Sequence, residues 1–307
     1  LSTHPVSDSA DADTRHAPDA VPAWFQAALA DQPRRTFVAC EGARLEILEW
    51  GDRDAPGIHL LHGFRAHAGW WSHISPLLSD RYHVVASSWS GMGHSGHRPA
   101  YSLDLYAREA IAVGEATGLF ADARRPMMVA HSLGGHVGTR IAADYGDRLA
   151  GMVLLDVGLG PVPKKPPIDP PRRSFVSVDE AVARFRLTPP QDALDYVMSQ
   201  IAAASVVRSN DVQGWQWCFD PDISAKLVRP HHWHLIPQAK CPIAFVRGQY
   251  SRIVPDRLEQ VQRDWARPDA RFATIPQAGH HVMIDQPIAL AAALRAFAAV
   301  WEGQRDT

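Results

Sequence analysis

The stretch MMVAHSLGGHVG, residues 127–138, decides the reading of the fold. Its first half, Met127-Met128-Val129-Ala130, is the continuous apolar run of a strand buried on both faces. Its second half starts at Ser132-Leu133-Gly134-Gly135 and continues with apolar residues at helical spacing. A chain that passes from buried strand to helix within a residue must turn sharply. The turn residue is then forced toward unfavourable dihedrals, and the helix packs close to the strand. Small neighbours meet both demands, and here they are Ala130, Gly134 and Gly135; the pattern is A-H-S-L-G, with alanine in the first small position of G-x-S-x-G. Such a turn is expected to lift the Ser132 hydroxyl above a sheet.

Outward from it, strand-like runs alternate with amphipathic stretches. FVAC (37–40), LEILEW (45–50), IHLL (58–61), YHVVAS (82–87), MVLLDV (152–157), IAFVR (243–247) and RFATI (271–275) read as strands. Residues 102–118 and 133–146 carry apolar side chains three and four apart, as helices do. This alternation predicts an α/β architecture, a mostly parallel sheet with helices on both faces. The first two strands, joined at Glu41-Gly42-Ala43, read as an antiparallel hairpin at the sheet edge. The rhythm breaks over 159–238, which runs from GPVPKKPPIDPPRR (160–173) through two helical stretches to GWQWCFDP (214–221) and HHWHLIP (231–237). An insertion between parallel strands sits over their carboxyl ends, where ligands bind. We therefore expect a core of 21–158 and 239–307 carrying an inserted helical cap of 159–238. Residues 1–20, mostly Ala, Asp, Ser and Pro, read as a flexible tail.

Composition narrows the function. With 307 residues, 46% of them hydrophobic, the chain can bury a sizeable core. A net charge of −2 leaves no basic excess for phosphate backbones or an anionic membrane, so a small-molecule substrate is expected rather than nucleic acid or a membrane. The 3 cysteines, Cys40, Cys218 and Cys241, are odd in number and far apart, which writes neither a disulfide framework nor a metal knuckle. No apolar run reaches the ~18 residues of a spanning helix. The first residues lack the basic and apolar regions of a secretory signal, so the expected compartment is the cytoplasm.

Two further stretches complete a chemistry. In LLHGFRAHAGWW (60–71) a strand ends at His62-Gly63, about 70 residues before Ser132. A loop there supplies one backbone N–H to an oxyanion hole, and the residue after a nucleophile supplies the other; the candidates are Phe64 and Leu133. In IPQAGHHVMIDQP (275–287), glycine lets a loop turn and His280 can reach back to take a proton from Ser132. His281 and His131 read as packing residues beside the two.

These stretches, with SSWSGMGHSG (87–96), AHSLGG (130–135) and AGHHVMIDQP (278–287), resemble the α/β-hydrolase superfamily over roughly residues 36–303. The resemblance implies the α/β-hydrolase fold with an eight-stranded sheet, a Ser–His–acid triad and a variable cap between strands six and seven. The chain departs from the pattern twice. Ser88 stands where an aspartate commonly precedes R-G-x-G, and Ser251, in Gly248-Gln249-Tyr250-Ser251, stands where the triad acid commonly follows strand seven. Serine cannot carry the charge that steadies an imidazolium. Some members of the superfamily place their acid after strand six, and Asp156, 24 residues beyond Ser132, closes that strand here. Asp256, at a helix start where capping explains it, and Asp285, five residues after His280, are the alternatives.

The expected activity is that of a cofactor-independent serine hydrolase acting on an ester, thioester or lactone through Ser132, His280 and Asp156. An aspartate nucleophile would have suggested dehalogenase or epoxide hydrolase chemistry. Two rivals are cofactor-free oxygen chemistry run by the same histidine–acid pair, and a silent ligand-binding relative. His62, Trp70, Trp71, Trp215, Trp217 and Trp233 are candidates for the substrate pocket. His231, His232 and His234 invite a zinc reading, but no fourth ligand completes the set, so no metal is expected.

Overall fold

A two-residue turn at Glu41-Gly42, with φ of 43° and 84°, joins β1 (Arg34–Cys40) to β2 (Ala43–Trp50). Positive φ at both central residues gives the twist that a tight hairpin needs. Cys40 pairs with Ala43, so Ala43 already belongs to the strand. The computed structural model describes residues 21–160, 174–208, 214–229 and 232–303; the expected tail of 1–20 lies outside them.

The remaining strands are β3 (Gly57–Leu61), β4 (His83–Ser87), β5 (Met127–His131), β6 (Gly151–Leu155), β7 (Ile243–Gly248) and β8 (Arg271–Ile275). They form one 8-stranded sheet in the order β1-β2-β4-β3-β5-β6-β7-β8. β2 runs antiparallel to both its neighbours, and every other pair is parallel. From β3 the chain steps outward to β4 and then returns to β5 on the other side. That reversal opens a crevice between the carboxyl ends of β3 and β5, the place where such sheets bind ligands.

The helices are α1 (Ala23–Ala30), α2 (Leu103–Ala116), α3 (Leu133–Tyr145), α4 (Val178–Arg184), α5 (Asp195–Ala204), α6 (Asp256–Trp265) and α7 (Pro287–Gly303), with shorter turns between them. Ser102 starts α2 by accepting from Leu105 N–H at 3.1 Å. Because side chains alternate along a strand, Val129 and Leu155 pack with Phe25, Leu294 and Trp301 on one face. Met128, Ala130 and Leu154 pack with Tyr106, Val137 and Ile141 on the other. Both faces are covered, as the continuous apolar strands require.

Between β6 and β7 the described parts of 159–238 include α4, α5 and an antiparallel hairpin of Val206–Arg208 with Trp215–Trp217. Val197 and Ile201 of α5 join the core beside Trp70 and Trp71. No helix among the described residues is long and apolar enough to cross a membrane.

Candidate active site

β5 ends at His131 and α3 begins at Leu133, so Ser132 alone makes the turn, with φ 53° and ψ −116°. An L-residue is strained there, and the surroundings hold it. Ser132 N–H donates to the Leu155 carbonyl at 3.1 Å, and the Ser132 carbonyl accepts from Gly135 N–H at 3.0 Å. α3 lies so close that a Cβ on Gly134 would sit 2.6 Å from the His62 carbonyl oxygen, and one on Gly135 2.1 Å from Val157 Cγ2.

His280 follows β8 and faces this serine. Its Nε2 lies 3.0 Å from Ser132 Oγ, and its Nδ1 lies 2.7 Å from Asp156 Oδ1. A carboxylate only accepts, so Nδ1 carries the ring proton and Nε2 is left to accept from the serine hydroxyl. His131 Nε2–H donates to the His280 carbonyl at 3.0 Å, tying the histidine loop to the elbow. Burial, helped by the neighbouring imidazoles, holds the His131 ring neutral with its pKa far below the usual range.

Asp156 follows β6 directly, with φ 49°, and is fully buried. Besides His280 it accepts from Gly248 N–H at 2.8 Å and from Ser251 Oγ at 2.6 Å. Ser251 Oγ accepts in turn from the N–H groups of Ile253 and Val254 at 3.1 and 3.0 Å, so its single proton goes to Asp156. β6 and β7 are neighbours, and their carboxyl ends meet on this one carboxylate. The other acids serve elsewhere. Asp256 sits exposed at the start of α6 and pairs with Arg247 at 2.5 Å. Asp285 accepts from Gly279 N–H at 2.6 Å and Gln191 Nε2 at 2.8 Å, and burial pushes its pKa up to about 6. Both ring nitrogens of His280 are already taken by Ser132 and Asp156.

Over Ser132 lies a cavity of about 440 Å³. Gly63 and Phe64, just beyond β3, form one wall; a Cβ on Gly63 would come within 3.1 Å of Ser132 Cβ, so this loop rests on the elbow. Leu133 is the first residue of α3, where a helix leaves its N–H without a partner inside the helix. The inserted segment closes the other side with Phe185, Leu187, Trp217 and Phe219.

The sequence profile of the alpha/beta hydrolase family matches residues 60–293. The chain belongs to that family. It is 32% identical over 145 residues to an epoxide hydrolase A of Mycobacterium tuberculosis, a match covering 47% of this chain and 44% of that one. It is 30% identical over 132 residues to a fluoroacetate dehalogenase of Burkholderia sp, covering 38% of this chain and 42% of that one. The chain thus spans less than half of each of these relatives. Among solved structures, a thioesterase domain from a curacin biosynthetic pathway superposes with a TM-score of 0.73 at 19% identity, covering 86% of this chain and 99% of that one.

In this alpha/beta hydrolase, two of the six expected pocket residues, Trp70 and Trp217, line the cavity. His62 does not: its Nε2 accepts from Trp89 N–H at 3.1 Å and its Nδ1–H donates to the Gly63 carbonyl at 2.7 Å, so it braces the loop beneath. Burial lowers its pKa to about 3. Trp71 is fully buried in the core, Trp215 packs with Phe175 and Val206 away from the cavity, and Trp233 stacks on Trp265 at 4.2 Å. Sequence reasoning missed Phe64 as a wall, along with Phe185, Phe219, Arg65 and Arg229. His281 also reaches the cavity, its Nε2–H donating to the Thr188 carbonyl at 3.2 Å. Only the aromatic residues of 214–221 carried a sequence signal for these positions. His231 lies outside the described residues, and among these the metal-ligand side chains that converge are His131, His280 and His281 rather than His232 and His234. Two of the converging rings already use a nitrogen on a carbonyl and the third uses both, so this set is built for hydrogen bonds.

Proposed function

We propose that the chain is a serine hydrolase that cleaves a carboxylic ester, thioester or lactone through an acyl-enzyme on Ser132. The observation that carries this reading is the unbroken relay Ser132 Oγ–His280–Asp156 at the floor of the cavity. Ser132 Oγ attacks the carbonyl carbon while its proton passes to His280 Nε2. The oxyanion gathers on the side of the Phe64 and Leu133 N–H groups. When the tetrahedral intermediate collapses, the bond to the leaving group breaks and the Nε2 proton goes to the leaving oxygen or sulfur. Water then repeats the sequence on the acyl-serine, giving the free acid and restoring the serine. Asp156 keeps the proton on Nδ1 throughout and steadies the imidazolium. The inserted segment acts as a cap that narrows access.

A serine rather than a carboxylate at the elbow supports acyl transfer over the epoxide and carbon–halogen chemistry named in the relatives. A fluorophosphonate probe tests the reading, because it reacts only with an activated serine. Covalent labelling of the wild type, abolished in Ser132→Ala, is the expected result. A wild type that stays unlabelled and inert toward simple esters would refute it.

A further inference from the structure

His280 lines two cavities, the one over Ser132 and a second of about 810 Å³ bordered by Gln191, Gly279 and Asp285. A loop that borders two cavities has less packing around it, so its hydrogen bonds carry more of its placement. Three of them fall on His280 and its two neighbours. Gly279 N–H donates to Asp285 Oδ2 at 2.6 Å, the His280 carbonyl accepts from His131 Nε2–H at 3.0 Å, and His281 N–H donates to Gln191 Oε1 at 2.8 Å. Asp285 and His131 belong to the core that carries the elbow. Gln191 does not, because it lies between α4 and α5 in the inserted segment. Its other amide atom, Nε2, donates to Asp285 Oδ2 at 2.8 Å. One carboxamide thus reaches both the N–H after His280 and the acceptor of the N–H before it. The contact is close: a Cβ on Gly279 would lie 2.9 to 3.1 Å from the Cδ, Oε1 and Nε2 atoms of Gln191.

An imidazole that must accept from Ser132 at 3.0 Å and donate to Asp156 at 2.7 Å tolerates little displacement of its own backbone. We propose that Gln191 is a positioning residue for His280, reaching its loop from the inserted segment and, with Asp285 as partner, holding the N–H groups on either side of the histidine. The general base is then complete only when the inserted segment is seated on the histidine loop. The inference rests on the acyl-transfer reading of Ser132 and adds to it a residue that lines the second cavity rather than the one over Ser132.

Gln191→Met tests it, because methionine keeps the length of the side chain and removes both hydrogen bonds. On a p-nitrophenyl ester, corrected for its uncatalysed rate, kcat is expected to fall about ten- to a hundredfold with KM within about threefold of the wild type, and fluorophosphonate labelling to slow in parallel. Asp285→Ala is expected to lose as much. Asp285→Asn, whose amide oxygen can still accept from Gly279 and Gln191, is expected to recover most of that loss. Gln191→Ala takes the place of the methionine variant if that one fails to fold. A kcat kept at the wild-type level in Gln191→Met, a loss carried by KM alone, or an Asp285→Asn enzyme no better than Asp285→Ala overturns the proposal and leaves the hydrolase reading standing. If the wild type cleaves no ester and takes no label, the hydrolase reading fails, and proton NMR of His280 Nδ1–H decides the positioning by itself. A signal protected from exchange in the wild type and lost in Gln191→Met supports it; one absent from the wild type or unchanged by the substitution overturns it.

Discussion

Asp156 accepts three hydrogen bonds, from His280, Ser251 and the Gly248 backbone, and each donor has a different job. Gly248 and Ser251 fix the carboxylate where two strand ends meet, and His280 uses it to keep its proton on Nδ1. An amide in that place must point its NH2 group at one of these donors or at His280, which drives the imidazole toward the tautomer that cannot accept from Ser132. Asp156→Asn is therefore expected to lower kcat by about 10³–10⁴ without unfolding the chain. Ser251→Ala removes one donor to the carboxylate and the acceptor for Ile253 and Val254 N–H, with Gly248 and His280 still in place. Its expected effect is about tenfold on kcat, the scale of one hydrogen bond to a charged group. Steady-state kinetics of both variants on one activated ester check the ranking. A Ser251→Ala enzyme as damaged as Asp156→Asn would mean that the serine, not the aspartate, sets the tautomer.

The strand–turn–helix element around Ser132 depends on how near α3 can come to the sheet. A methyl on Gly135 would press on both Val157 methyl carbons, at 2.1 and 2.8 Å. Gly135→Ala is expected to destabilise the fold by about 1–3 kcal/mol, the scale of overpacking, and to lower kcat further by moving the elbow. Adding Val157→Ala removes the obstacle, so the double variant should be less destabilised than the sum of the singles. Additive losses in urea denaturation would show that the clash is not the cause. This element was also the most legible in the sequence, because its demands are local: a buried strand, a serine and small neighbours in one short run. All eight strands were readable for the same reason, as apolar runs of strand length between helical patterns. Asp156 was readable only through the departure at Ser251, and the hydrogen bond between the two was not. The cavity walls were least legible. Trp70 and Trp71 are adjacent in sequence and share one core cluster, yet only Trp70 lines the cavity, a difference that no periodicity in the run encodes.

Across the whole molecule, the buried histidines set the response to acid. Burial lowers the pKa of His59, His62, His67 and His281 to about 3 and of His73 to about 4, and pushes His131 well below its ordinary value. Each is neutral in the fold and has an ordinary value of 6.5 once exposed. Below pH 6.5 the unfolded chain therefore binds more protons than the folded one, and stability falls as pH falls toward 3. Each such group contributes a slope of up to about 1.4 kcal/mol per pH unit. Asp285 opposes them, because its pKa is raised from 3.8 to about 6 and its protonation favours the fold between those values. One carboxyl cannot offset six imidazoles. Glu49, lowered from 4.5 to about 2 with His83 and Arg53 as hydrogen-bond donors, adds a further loss below pH 4.5. The urea midpoint should thus drop steeply from pH 7 to pH 5, by more than one titrating group can produce, and change little from pH 7 to pH 8. A midpoint that holds level or rises on acidification to pH 5 would mean that the buried imidazoles gain protons without opening the fold.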